Sequence, residues 1–319
     1  YRQMNIQTGG LANKNRDIYF SSKGHDVPGL YSVLHSLGIL KDNELLSLRR
    51  LNGLDGHPNV KIPGIEANTG SLGMGISKGK GMALGKKLAG RSGEVYVMTG
   101  DGELQEGQVW ESLQTAAFQK VGNLTVIIDH NKIQSDSYVE QIISLGNLEQ
   151  KLKGFGWHVI RCDGHDFSSL ESAFHQLETI KEQPKIIIAD TIKGKGVAFM
   201  EPPSNLKNGG YYLWHSGAPS DEDYAAAIRE LKLRIDRRLS SSGNTPIQYL
   251  SIPQERTEAG TKPKEVMAES FGRRLLKIGR KNEKLVVLDA DLAADCGIRE
   301  FEKTFPDRFF ENGIAEQDM

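Results

Sequence analysis

An α/β fold with a parallel sheet flanked by helices is what this sequence predicts, and three observations predict it. Short β-branched runs, EVYVM (94–98), LTVII (124–128), WHVIR (157–161) and KIIIA (185–189), are each followed by a polar turn and mostly by a helical pattern. The runs are nearly continuous in apolar residues rather than alternating, as in strands buried on both faces and hence paired in parallel. A second, shorter α/β pattern around KLVVLDAD (284–291) follows a break in periodicity after Arg238.

In chain order, apolar spacing predicts helices over 28–38 and 42–51, the second with Asp42 as N-cap ahead of Leu45, Leu46 and Leu48. A helix over 73–89 carries Gly73, Gly75, Gly79, Gly81 and Gly85. Each glycine there costs up to about 1 kcal/mol relative to alanine, so close packing against a cofactor or another helix is the expected compensation. Strand 94–98 leads to a helix over 107–120, and WHVIR to a helix over 168–181 capped by Ser168; a further helix is predicted over 221–238. The stretch LSSSGNTPIQYLSIPQERTEAGTKP is rich in Ser, Gly, Pro and Thr without sustained period and reads as a linker. Helices over 264–278 and 297–304 bracket the strand at 284–291. The expected organisation is a first domain over 1–240, a linker over 241–262 and the beginning of a second domain over 263–319. That second part is too short for a core of its own, so its remainder is expected from a continuation or another chain.

The 319 residues are 38% hydrophobic and 25% charged, with 40 basic against 41 acidic. Such balance, without runs of like charge, argues against a nucleic-acid or membrane-surface protein and favours a small-molecule partner. Cys162 and Cys296 are widely separated and form no Cys-x-x-Cys pair, which suits a reducing cytoplasm. No segment approaches the roughly 18 consecutive apolar residues of a membrane helix, and the polar start is unlike a signal peptide. Residue 1 is Tyr rather than Met, so an incomplete N-terminus is expected.

Ligands of parallel α/β sheets bind at the carboxyl ends of the strands. Asp101, within GDG directly after one apolar run, and Asn131, directly after the next, both belong there. One carboxylate, one amide oxygen and a nearby backbone carbonyl are hard donors, the set that holds Mg²⁺ (or Ca²⁺ or Mn²⁺) when a phosphate completes the coordination. Gly100 and Gly102 let the backbone approach a phosphate, and the helix starting near Gly107 adds positive field. A lone GDG is an ordinary turn; the Asn at the next strand end is what makes it more.

GDG followed by this Asn resembles the thiamine-diphosphate motif, and its surroundings resemble transketolase. The resemblance runs through RDIYFSSKGHDVPGLYSVLHSLG (16–38), LDGHPN (54–59), NTGSLGMGISKGKGMALG (68–85), FGWHVIRCDGHD (155–166), TIKGKGVAFME (191–201), WHSGAP (214–219), VVLDADLA (286–293) and PDRFFENGIAEQDM (306–319). The TIKGKGVAFME and WHSGAP blocks look most like compact bacterial transketolases, often encoded as two polypeptides.

The resemblance implies thiamine diphosphate and a divalent cation as cofactors, with Asp101, Asn131 and the carbonyl of Ile133 as metal ligands. It places Gly70, Ser71 and Leu72 against the cofactor and includes Gly102 and Glu103 among cofactor-binding positions. His25 and His215 match histidines around the diphosphate and the substrate channel, and His57 one beside the reacting carbon. Imidazoles suit proton transfers near neutral pH. Many single histidines are merely structural, but these three stand in Gly/Pro turns rather than on periodic faces. Glu316 matches the glutamate that hydrogen-bonds the cofactor's aminopyrimidine, a role that asks for a carboxyl pKa raised by burial. Glu106 matches the glutamate that meets it across a dimer interface. The first domain would therefore be the diphosphate-binding domain and 263–319 the beginning of a pyrimidine-binding domain. Residues 1–240 and 263–319 would serve different active sites, in a homodimer or a hetero-oligomer with a C-terminal-half polypeptide.

Departures from the family pattern are also expected to matter. No early Gly-His-Pro precedes Tyr1, and the aromatic residue that stacks on the aminopyrimidine would lie beyond Met319. Where the family holds an acceptor phosphate with Arg and Ser or Thr, this chain has Met267, Ala268 and Asp295. A carboxylate repels phosphate, so an unphosphorylated or unusual sugar is expected unless Lys262, Lys264 or Arg299 substitutes. The expected activity is two-carbon ketol transfer from a ketose to an aldose. The alternatives are a thiamine-diphosphate enzyme with an α-keto acid donor, similar to deoxyxylulose-phosphate synthase, and a catalytically silent assembly subunit.

Overall fold

The structure, a computed structural model, describes residues 4, 10–203, 206, 210–249 and 266–319. Strands β1 (Ile18–Ser21), β2 (Val95–Gly100), β3 (Leu124–His130), β4 (His158–Asp163) and β5 (Lys185–Asp190) form a parallel sheet in the order β1-β2-β3-β5-β4. The KIIIA run explains its own continuity. Ile186 and Ile188 join Val97, Val126 and Leu113 on one face, while Ile187 and Ala189 join Ala173 and Leu177 of α7 (Phe167–Leu177) on the other. With both faces covered, each such fully buried aliphatic side chain contributes roughly 1.5–3 kcal/mol.

The remaining helices of this part are α1 (Val27–Ser36), α2 (Asp42–Leu46), α3 (Gly75–Leu88), α4 (Gly107–Phe118), α5 (Val139–Ile142) and α6 (Leu148–Gly154). Trp157, just before β4, is buried and donates Nε1–H to the Leu113 carbonyl of α4 at 2.9 Å, so its polar tip is satisfied inside the core. Then come α8 (Asp221–Ser241), α9 (Met267–Gly279), β6 (Val287–Asp289), α10 (Arg299–Thr304) and β7 (Phe309–Glu311), with β6 and β7 paired in parallel. The chain divides into two compact units, Tyr1–Gln134 with Tyr138–Thr191 and Asn312–Met319, and Ser135–Ser137 with Ile192–Glu311. No helix of the described residues is long and apolar enough to cross a membrane.

Several elements differ from the sequence expectations. The helix expected over 42–51 stops at Leu46, because Arg49 and Asn52 take left-handed φ of 58° and 61° and the chain turns back on itself. Asp42 is the first helical residue rather than the cap; the N-cap is Lys41, whose backbone N–H donates to Glu44 Oε2 at 2.9 Å. Ser168 is likewise inside its helix, and Asp166 caps it by accepting from Ser169 N at 2.8 Å. Strands β1 and β7 and helices α5 and α6 were not anticipated, and the strand expected over 284–291 narrows to Val287–Asp289. Of the expected linker, residues 250–262 lie outside the described residues, as do the first residues of the helix expected from 264.

The glycines of α3 do not act together. A Cβ on Gly79 would lie 2.4 Å from Val97 Cγ2 and 3.2 Å from Leu124 Cδ1, so Gly79 packs closely against the sheet, whereas Gly75 packs against Ser22. Gly81 and Gly85 face open space.

Candidate functional site

Register between β2 and β3 pairs Gly100 with Asp129, so Asp101 and Asn131 leave adjacent strand ends, as their sequence positions suggested. Asp101 is 2% exposed. Its Oδ1 accepts from Gly102 N at 2.8 Å and its Oδ2 from Lys132 N. Burial pushes its carboxyl up to about 6, against the lowering effect of those N–H groups and of His130. Asn131 Oδ1 accepts from Ile133 N at 3.0 Å, and Lys132 between them adopts φ of 71°, turning the chain sharply at the strand end. The carboxylate and amide oxygens keep lone pairs beyond these bonds. A buried carboxylate met only by backbone N–H groups among the described residues, beside an amide oxygen and the Ile133 backbone, is a donor set that a hard divalent cation fits.

The loops bearing the other expected contacts converge within the same unit. Gly24 has φ of 67°, and a Cβ there would come 2.7 Å from Gly70 N; a Cβ on Gly70 would come 2.9 Å from the His57 ring. The backbone next to His25, Gly70 and His57 is thus one continuous contact, with Ser71 exposed and Leu72 half-buried beside it. His25 and His57 are exposed. Thr69 Oγ1 and Asp26 Oδ1, both buried here, have no hydrogen-bond partner among the described residues. Lys23 Nζ lies 2.8 Å from Asp129 Oδ2 and 3.5 Å from Asp26. Burial acts to lower the Lys23 pKa, but the two carboxylates together hold it above the usual lysine value.

Gly102 and Glu103 are turned inward. A Cβ on Gly102 would meet Gln134 at 2.8 Å and Ile314 at 3.2 Å. The Glu103 carboxylate accepts from Ser22 Oγ, Gly73 N (2.8 Å) and Gly100 N (3.1 Å).

Glu106 is 5% exposed, and its carboxyl hydrogen-bonds that of Glu316 in the same chain. Burial, then the Glu316 hydrogen bond and charge, push Glu106 up to about 7. In the structure the pair forms within one chain. The reason is the anchoring of the last residues: Ile314 N donates to Gln105 Oε1 at 2.8 Å, and Gln105 Nε2 donates to Gln134 Oε1 at 2.8 Å.

His215 belongs to the second unit, where its Nδ1 lies 2.7 Å from Lys193 Nζ. An ammonium only donates, so Nδ1 accepts and Nε2 carries the proton. In the same unit Arg299 pairs with Asp136 and Glu302, both at 2.6 Å, and stacks on Tyr211. It is therefore committed to two carboxylates. Met267 is 86% exposed and Asp295 is exposed, while Lys262 and Lys264 lie outside the described residues.

Sequence reading passed over Lys23, Gln105, Asp129 and Lys193, and also Asp190. Asp190 receives Arg161 through two bonds of 2.6 and 2.8 Å and His130 at 2.8 Å. Burial acts to raise the Asp190 pKa, but these partners hold it well below the usual carboxylate range. Charged residues closing apolar runs, as in VIIDH and KIIIAD, were the available signal.

Residues 3–232 match the family described as transketolase, thiamine diphosphate binding domain. Over 223 residues the chain is 36% identical to a protein of Phocaeicola vulgatus named as one of the subunits of apulose-4-phosphate transketolase, covering 70% of this chain and 76% of that protein. It is 33% identical over 333 residues to the transketolase of Homo sapiens, covering 100% of this chain and 51% of that one. Among solved structures, the transketolase of Campylobacter jejuni superposes with a TM-score of 0.57 at 25% identity, over 94% of this chain and 53% of that chain. The chain spans about half the length of the human and Campylobacter proteins.

Proposed function

The chain belongs to the transketolase family, and from that premise we propose that it is the cofactor-anchoring part of an enzyme transferring a two-carbon ketol unit from a ketose to an aldose. The observation that carries this reading is the buried Asp101 carboxylate beside Asn131 at neighbouring strand ends. Asp101, Asn131 and the Ile133 carbonyl would hold Mg²⁺, or Ca²⁺ or Mn²⁺, against the diphosphate, with Gly70 to Leu72 and Gly102 alongside. When bound, thiamine diphosphate supplies the carbon that carries the transferred unit and stabilises its negative charge.

The chain's own groups have separable roles in this proposal. His25 and His57 orient the sugar and move protons near neutral pH. His215 presents Nε2–H as a donor, because Lys193 occupies Nδ1. Glu106 keeps a proton within its pair with Glu316, and Glu316 would hold the aminopyrimidine ring by a hydrogen bond. Domains over 1–240 and 263–319, the latter as the beginning of a pyrimidine-binding domain, are part of the same proposal.

The name of the Phocaeicola relative describes one component of a multi-chain enzyme, which supports an assembly with a second polypeptide; a homodimer is the other arrangement compatible with the family. A cytoplasmic location fits the two unpaired cysteines. We further propose an unusual acceptor sugar. Asp295 and the engaged Arg299 favour one without a phosphate, whereas that relative's name carries a phosphate ester. Two-carbon transfer by the chain with its adjacent polypeptide, measured across free and phosphorylated ketoses, tests the reading. Transfer from none of them, by an assembly that binds the cofactor, would leave the alternatives of an enzyme with an α-keto acid donor and of a catalytically silent component.

A further inference from the structure

Glu103 is a buried carboxylate that the chemistry above does not use. It is 2% exposed, yet donors from three separated segments converge on it. Oε1 accepts from Ser22 Oγ and Gly73 N, Oε2 accepts from Gly100 N, and Ser22 Oγ accepts in turn from Gly75 N at 3.0 Å. Ser22 follows β1 shortly before His25, Gly73 follows Gly70-Ser71-Leu72, and Gly100 precedes Asp101.

We propose that Glu103 is a positioning residue, a single carboxylate that registers the three loops bearing the cofactor contacts before any ligand arrives. Its partners leave little room for another anchor. Gly73 has φ of 77°, and a Cβ there would fall 2.6 Å from Glu106 Cβ; a Cβ on Gly75 would fall 2.3 Å from Ser22. These backbones approach so closely that no side chain fits, and a buried N–H in such a turn needs an acceptor supplied from elsewhere. A carboxylate offers acceptors at both ends. The amide of glutamine has only one, so either Gly73 or Gly100 would face a second donor.

The binding part of this proposal rests on the function proposed above, and the test separates the two. Backbone amide exchange is measured in the full chain, its Glu103→Gln variant and the milder Ser22→Ala variant, alongside titration with Mn²⁺ and thiamine diphosphate. In Glu103→Gln, exchange at Gly73 and Gly100 should accelerate by a larger factor than at Val126 and Ile128 in the sheet centre. Affinity for the metal and cofactor should fall by about tenfold to a hundredfold, the scale for losing an outer-shell partner. Ser22→Ala should show a smaller effect in the same direction, and the double variant little beyond Glu103→Gln. Equal acceleration at all four amides would reduce Glu103 to a contributor to global stability and overturn the proposal. Loosened glycines with wild-type affinity would overturn it as well. If the wild-type chain binds no metal and cofactor, the proposed function fails, and the exchange pattern still decides the role of Glu103.

Discussion

The carboxyls of Glu106 and Glu316 share a hydrogen bond within one chain, although 210 positions of sequence, roughly two-thirds of its length, separate them. A proton must therefore sit between two groups that would each be ionised in water at neutral pH.

Stability should record that proton. The Glu106 pKa is raised from 4.5 to about 7, by burial first and by Glu316 second, so folding takes up a proton between those values. The pair's contribution is fully present below the lower value and is lost as pH rises through the upper one. Glu106→Gln keeps a donor for Glu316 and removes the titration. Urea unfolding across this window should therefore show a shallower fall of stability with pH in the variant; an unchanged slope contradicts the pairing.

Asp101 should behave similarly without metal and differently with it. Burial raises it to about 6, so in the metal-free chain Asp101→Asn should remove part of the same downward slope, while its single amide oxygen leaves either Gly102 N or Lys132 N facing a second donor. A cation must compete with the proton, so metal affinity should weaken as pH falls below about 6. The Asn variant should lose at least about tenfold in affinity, the scale for losing even an outer-shell partner. Mn²⁺ titration followed by electron paramagnetic resonance reads both effects.

The strand-end turn is sensitive to backbone conformation. Lys132 holds φ of 71° while its N–H serves Asp101. Lys132→Gly keeps that N–H and relieves the backbone, so stability should change by less than about 1 kcal/mol. A β-branched Val in the same conformation should cost about 1–3 kcal/mol. Chemical denaturation of the two variants is the check, and equal costs would argue that the turn is not strained.

Much of this is legible in the sequence. Continuous apolar runs fixed the parallel sheet because burial on both faces leaves no alternation, and Asp101 with Asn131 stood out because polar residues close those runs. Strand β1 was missed because IYFS, at the sheet edge, is only four residues long. The Glu103 clip was invisible for a different reason, and the Glu106–Glu316 pair was expected only through the family resemblance. They join segments remote in sequence, and no local periodicity encodes which loop a carboxylate will face.

Two glycines of α3 offer a paired test of packing. Gly79→Ala would push a Cβ into Val97 and should cost about 1–3 kcal/mol through overpacking. Gly81→Ala meets open space and should stabilise by up to about 1 kcal/mol through helix propensity. Thermal melting distinguishes them, and a similar sign for both would mean that α3 does not seat on β2 as described.

The most direct test of the metal clamp is calorimetric titration of the full chain with thiamine diphosphate, in Mg²⁺ and in a chelator, repeated with Asn131→Ala. The expected result is binding that requires Mg²⁺ and is lost or severely weakened in the variant. Binding of equal strength in the chelator, or in Asn131→Ala, would contradict the assignment of Asp101 and Asn131 as the residues that anchor the cofactor.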